Sequence, residues 1–263
     1  MPGSLITLTT DFGVADHFTG VMKGVIYSIA PRAAIVDITH LIPPFEILEG
    51  AFTVEAMYRW FPKKTVHVVV VDPGVGSARR PVLVEAAGQY FIGPDNGVFT
   101  LLMAREKEYK VRHITAEEYR LNPVSATFHG RDIFAPAAAH LAAGVTPAKL
   151  GKVVNDPWII SGLEPVRTGK RFWVGTVLRV DRFGNLITNF RVEEFPAVME
   201  RPFELLAGLV KISRLAATFS EGEPGELMVV PGSAGYFEVA ANQASAAQKL
   251  GVAAGSPVEL TLY

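Results

Sequence analysis

TVHVVVVDPGVGSARR, residues 65–80, is an apolar run that ends in an acid, a glycine loop and two arginines. Val66, Val68, Val69, Val70 and Val71 form a near-continuous β-branched run, which suits a central strand covered by helices on both faces. The expected fold is α/β with a mainly parallel sheet. Asp72 then stands at the carboxyl end of the strand, where open α/β sheets bind their ligands. Pro73, Gly74 and Gly76 make the exit turn. A lone Asp-Pro-Gly reads as a turn capped by its own aspartate. Arg79 and Arg80 in the same loop turn the reading toward a charged site, with a surface ion pair as the alternative.

Residues 5–10 read as a first strand that also ends in an acid and a glycine turn, Asp11-Phe12-Gly13. The spacing of Val21, Met22, Val25, Ile26 and Ile29 predicts a helix that stops at Pro31, with Asp16 or Thr19 as its cap. Residues 34–39 form a second strand. A helix over 46–60 follows Pro43-Pro44, with Ile47, Leu48, Phe52 and Met57 inward. Right-handed crossovers then bring Asp11 and Asp72 to one sheet edge. Residues 82–86 and 90–93 read as short strands across Gly88-Gln89, 98–105 as a short helix, 111–114 as a strand and 117–121 as a helical turn. The polar cluster Thr127-Phe128-His129-Gly130-Arg131-Asp132 precedes an alanine-rich helix over 133–143 that ends near Gly144.

Prolines and glycines between 144 and 169 mark a boundary. It gives an α/β domain over 1–165 and a small β-barrel domain over 166–263, with strands at 172–180, 186–190, 203–212, 227–230 and 236–240. Asp181-Arg182-Phe183-Gly184-Asn185 and Gly232-Ser233-Ala234-Gly235 read as turns between them.

Composition removes several function classes. With 25 Lys+Arg against 26 Asp+Glu, the 263-residue chain lacks the basic footprint of a nucleic-acid binder, which favours a small-molecule partner. A content of 49% hydrophobic and 19% charged residues is apolar enough to predict an oligomer. There is no cysteine, hence no disulfide, thiolate metal site or cysteine nucleophile. No leader pattern opens the chain and no apolar run reaches the ~18 residues of a membrane span, so a soluble cytoplasmic protein is expected. Gly74 and Gly76 have dinucleotide spacing, but Arg79 takes the place of the third glycine and no Lys-Ser/Thr of a phosphate loop follows. The six histidines show no paired metal spacing, and no serine sits in a nucleophile elbow. An acid, an arginine and His129 remain, with further acids at strand ends.

These motifs carry a resemblance. Thr9-Thr10-Asp11-Phe12-Gly13 with Asp16, Asp72-Pro73-Gly74-Val75-Gly76 with Arg79, Pro94-Asp95-Asn96-Gly97, Phe128-His129-Gly130-Arg131-Asp132, and Asp181 with Phe183-Gly184-Asn185 together resemble the S-adenosyl-L-methionine hydroxide adenosyltransferases. These are relatives of the fluorinating and chlorinating adenosyl halogenases. The resemblance implies a homotrimer with sites between subunits, no cofactor and no metal. It also implies cleavage of S-adenosyl-L-methionine by water into adenosine and L-methionine. The catalytic set it implies is Asp72, Arg79 and His129. Asp11 would hold the ribose diol, Phe45 would lie against the sugar or base, and Asn185 would contact the adenosine. Asp181 would face the methionine ammonium and Ser233 its carboxylate, while Asp16, Phe128, Phe183 and Tyr236 complete the substrate contacts.

The residue types suit that chemistry. Methionine departs from a sulfonium as a neutral thioether, so the group to be activated is water. Arg79 and His129 would position it while Asp72 orients them or takes the proton; the sequence leaves the identity of the base open. Halide chemistry is disfavoured, because the inserted loop of the halogenases is missing after Arg79 and Gly130 stands where fluorinating members carry a halide-contacting serine. Two alternatives stay open. One is a calcium-dependent nucleoside hydrolase, echoed by Asp11 and Asp16; the other is a non-catalytic adenosyl-ligand binding protein.

Overall fold

The computed structural model describes residues 4–263. Residues 1–3, part of the stretch read above for a leader, lie outside the described residues. The chain divides into two compact units, residues 1–160 and 161–263.

The first unit runs β1 (Leu5–Thr10), α1 (Phe18–Ile29), β2 (Ala34–Thr39), α2 (Ile47–Met57), β3 (Val66–Val70), β4 (Pro81–Ala86), β5 (Gln89–Pro94), α3 (Thr100–Arg105), β6 (Tyr109–His113), α4 (Ala135–Ala142), α5 (Pro147–Leu150) and β7 (Val153–Val154). The sheet order is β2-β1-β3-β5-β4-β6-β7, and the first four strands are parallel. Val66, Val68 and Val70 face a core shared with α1 and α4, while Val69 faces one shared with α2 and α3. Both faces of β3 are therefore apolar, which is why the valine run has no polar alternation. His67 interrupts it at no cost in satisfied polar groups. Its Nδ1 lies 2.8 Å from Thr7 Oγ1 and its Nε2 3.3 Å from Gln89 Oε1, and burial pushes its pKa down to about 4, so it is neutral.

β1 and β3 pair Thr10 with Val70. This register sets Asp11 and Asp72 just beyond adjacent strand ends, as expected from the crossovers. The antiparallel part of the sheet starts at the β4–β5 hairpin, whose turn residues Ala87 and Gly88 both have positive φ.

Three local expectations are corrected. The cap of α1 is His17, with no side-chain cap bond, rather than Asp16 or Thr19. Phe18 packs on Phe12 and Phe128 at ring-centroid distances of 5.6 and 5.2 Å, and this packing sets the start of the helix. α2 gives way to a 3₁₀ turn at Tyr58–Trp60, and Gly50 to Glu55 are all buried while Ile47, Leu48 and Met57 are only half-buried. The alanine-rich helix opens as a π-turn over Gly130–Phe134. Pro136 has no N–H to donate to the carbonyl of Asp132, and that carbonyl instead accepts from Leu121 N at 2.8 Å.

The second unit runs β8 (Val166–Arg167), β9 (Phe172–Val180), β10 (Leu186–Arg191), α6 (Ala197–Glu200), β11 (Phe203–Ala207), β12 (Val210–Ile212), β13 (Leu227–Pro231), β14 (Tyr236–Ala241), α7 (Ala246–Leu250) and β15 (Pro257–Leu262). Its strands form one antiparallel, nearly closed barrel-like sheet in the order β12-β11-β15-β9-β10-β14-β13, around a core that includes Phe190, Phe203, Phe237 and Leu260. The single strand expected over 203–212 is two, because Gly208 at φ +60° turns the chain into a hairpin. β15 was not anticipated, although Val258, Leu260 and Leu262 carry its alternation.

Candidate active site

The ends of β1 and β3 open onto a cavity of about 270 Å³ lined by Asp11, Phe12, Phe18, Pro44, Phe45, Val70, Asp72, Val75, Thr127, Phe128, His129 and Gly130. Arg79 is outside that lining. Its Nε donates to Asp72 Oδ1 at 2.9 Å, its Nη2 donates to Asp72 Oδ2, and Nη2 also lies 2.7 Å from His129 Nδ1. The guanidinium carbon stands 5.3 Å over the ring of Phe134. The side chains of Arg79 and Asp72 are only 8% and 4% exposed. One planar fork thus fixes two cavity groups at once.

The donor direction settles the histidine. A guanidinium has no lone pair to offer, so His129 Nδ1 must accept and the ring proton resides on Nε2. Burial, and then the Arg79 charge, hold His129 below the usual imidazole pKa, so the neutral ring is favoured.

Asp11 is held differently. Its Oδ2 accepts from Phe45 N at 3.0 Å. Phe45 sits at φ +72°, an uncommon conformation for a residue with a side chain, and the residue is 69% exposed. Burial, and to a smaller degree the Asp72 carboxylate, push the pKa of Asp11 up against that hydrogen bond.

The other sequence candidates divide. Phe128 lines the cavity, in an aromatic cluster with Phe12 and Phe18. Asp16 is exposed and outside the lining. Among the described residues no group of three His, Asp or Glu side chains is placed to hold a metal. Arg80 pairs with Asp95 and Asp156, and Asn96 caps the Val71 carbonyl at 2.9 Å, so Pro94-Asp95-Asn96-Gly97 braces the strand ends. A Cβ on Gly130 would meet Met22 Sδ and Phe128 Cε2 at 3.2 Å and Phe12 Cε2 at 3.4 Å, leaving little room for a side chain there. Sequence reading passed over Thr127, Val75, Phe12 and Phe18 as lining residues, although the two phenylalanines flank the first glycine turn.

In the second unit, Asp181 Oδ1 accepts from Phe183 N at 2.8 Å and Asn185 N at 2.9 Å, and its Oδ2 accepts from Asn185 Nδ2 at 2.9 Å. The turn reading accounts for these bonds. Phe183 is 78% exposed, Ser233 is exposed, and Tyr236 is buried under the guanidinium of Arg191 at 5.3 Å. Glu238, not singled out in the sequence, is 8% exposed; burial, and then the Asp181 charge, push its pKa up to about 7.

Residues 6–151 match the SAM hydroxide adenosyltransferase N-terminal domain and residues 175–259 the C-terminal domain. The chain belongs to the SAM hydroxide adenosyltransferase family. Among family relatives, a protein named (R)-S-adenosyl-L-methionine hydrolase from Salinispora tropica is 37% identical, with 99% of this chain and 98% of the relative covered. One of the same name from Thermus thermophilus is also 37% identical, over 95% and 97%. A fluorinase from Nocardia brasiliensis is 27% identical over 97% and 96%. The crystal structure of a conserved protein from Thermotoga maritima superposes with a TM-score of 0.90 at 36% identity, covering 97% of this chain and 99% of that one. Both domains of the SAM hydroxide adenosyltransferase family are thus present in a single chain.

Proposed function

We propose that the protein is a hydrolase that attacks the ribose 5′-carbon of S-adenosyl-L-methionine with water and releases adenosine and L-methionine. The observation that carries this reading is the Arg79 fork, which presents Asp72 and His129 together at the cavity wall. With Nδ1 engaged, His129 offers Nε2–H to the oxygen of a water, while Asp72 accepts one of that water's hydrogens. A lone pair is then left for carbon. As the C5′–O bond forms, the C5′–S bond breaks, its electron pair neutralises the sulfonium, and the water proton passes to Asp72. Asp72 is the base, His129 orients the nucleophile, and Arg79 positions both. A carboxylate at this point also repels halide, so the same group that activates water disfavours an anionic nucleophile.

Asp11 takes the ribose diol, with Phe45 and Phe128 against the nucleoside. In the second unit the reading gives Asp181 the methionine ammonium, Ser233 its carboxylate and Asn185 the adenosine, with Phe183 and Tyr236 completing the substrate contacts. It extends to a homotrimer and to catalysis without a cofactor; the strongly exposed Val14, Leu41 and Phe45 favour burial between subunits.

The test is chromatography of the purified protein with S-adenosyl-L-methionine in halide-free buffer containing a chelator. Adenosine and methionine in equal amounts are expected. Loss of activity with chelator would favour a metal-dependent hydrolase, and bound ligand without product a binding protein.

The lowered His129 pKa gives a second expectation. Protonation would place a proton on Nδ1 and break the Arg79 contact, so kcat/KM should stay flat down to about pH 6.5 and fall only below it. The stability contribution of neutral His129 has the same sense: present above the unfolded value, lost as pH falls. An acid limb centred above pH 7 in the rate profile would contradict the assignment.

A further inference from the structure

The Asp72 carboxylate is gripped by a side-chain fork, whereas among the described residues the hydrogen bonds to the Asp11 carboxylate come from backbone N–H groups. Its position therefore depends on the turn that carries it. Both neighbours of Asp11 in that turn are tied to one point. Thr10 Oγ1 accepts from Phe12 N at 3.2 Å and lies 2.9 Å from His40 Nδ1. Gly13 N donates to the His40 carbonyl at 2.7 Å, and Ile42 N to the Thr10 carbonyl at 3.4 Å. His40 is 7% exposed, and its other ring nitrogen stands 3.1 Å from Asp37 Oδ1, while Asp37 Oδ2 is 2.5 Å from Lys23 Nζ. The string Lys23, Asp37, His40, Thr10 therefore ends at the Asp11 turn. Five residues past His40, Phe45 supplies the N–H that Asp11 accepts.

We propose that His40 is a positioning residue for Asp11, its ring holding Thr10 Oγ1 beside the backbone bond from Gly13 N to its carbonyl and so setting how tightly the ribose diol is held. This rests on the reading of Asp11 as the diol ligand. A donor–acceptor ring serves better here than an apolar side chain, because Thr10 Oγ1 must satisfy the Phe12 amide and still be held in place. His40 is not among the residues that line the cavity, and its hydrogen bonds run to Thr10 and Gly13 of the turn.

The experiment compares wild type with His40→Ala and His40→Asn, the second keeping a polar group near the Nδ1 position. Calorimetric binding of adenosine and of 2′,3′-dideoxyadenosine is measured, with amide hydrogen exchange across residues 10–14. His40→Ala should weaken adenosine about tenfold, the equivalent of one hydrogen bond to a charged group, and dideoxyadenosine less than about twofold. Saturating turnover should change less than about threefold, exchange at residues 12 and 13 should rise, and His40→Asn should recover part of both losses. A merely structural role would weaken both nucleosides equally, and that result, or unchanged exchange, overturns the proposal. If wild type does not cleave S-adenosyl-L-methionine, the functional reading falls and the exchange data alone decide the positioning. Should His40→Ala fail to fold, His40→Phe keeps a ring of similar bulk while removing the nitrogen that meets Thr10 Oγ1, and the same differences are expected.

Discussion

Arg79→Ala is expected to lower kcat about 10³-fold while KM for S-adenosyl-L-methionine stays within about threefold. The asymmetry follows from where Arg79 sits. It lies behind the cavity wall and touches Asp72, His129 and Phe134, so its loss leaves the binding surface in place but frees both reacting groups from their shared support. His129 also loses the donor that fixes its proton on Nε2. Arg79→Lys keeps the charge but cannot span two partners, and should recover at most about tenfold of the loss. Steady-state kinetics decide the matter: a raised KM with kcat near wild type would mean that Arg79 meets the substrate directly.

Gly76→Ala should be strongly damaging although Gly76 carries no functional side chain. Gly76 has φ +78°, and a Cβ there would stand 2.3 Å from the carbonyl oxygen of Ala126. Left-handed strain and overpacking together cost about 3 kcal/mol, or roughly 6–12 °C in Tm for a chain of this size. The clash also pushes the loop of Asp72 and Arg79 away from the segment that leads into His129, so kcat of the folded protein should fall about 10²-fold. Gly144→Ala separates the two effects. It has φ +101° with nothing within 4 Å, so it carries strain alone and should lower Tm modestly with kcat unchanged. Equal kinetics for the two variants would show that the Gly76–Ala126 approach does not set the site.

The sheet was legible because burial on both faces of β3 leaves a direct trace in the valine run, and because parallel crossovers leave Asp11 and Asp72 no other edge. The hairpin of β4 and β5 was legible from its glycine turn. What escaped was set by contacts that no local pattern encodes. The start of α1 follows from Phe18 packing on Phe128, more than a hundred residues away. The split of 203–212 depends on Gly208, which reads as an ordinary strand glycine until its positive φ is seen. In the site, the sequence brought Asp72, Arg79 and His129 into one list, but spacing carries no depth. It could not place Arg79 behind the wall, nor assign Arg80 to Asp95 and Asp156. The role of His40 escaped for the same reason, since a lone histidine at a strand end has no signature.

His129 and Phe134, five positions apart, both touch the Arg79 guanidinium. On an ordinary α-helix, residues five apart point about 140° away from each other, and one planar group could not reach both. The π-turn over Gly130–Phe134 narrows that divergence, and the helical ladder then resumes in α4 with its alanines still facing the core. The segment is therefore a change of phase between two registers, one facing the chemistry and one facing the packing. Its length is constrained more strictly than its composition. Deleting one residue here would return the helix to a single phase, and either His129 or the buried alanine face would swing out of alignment.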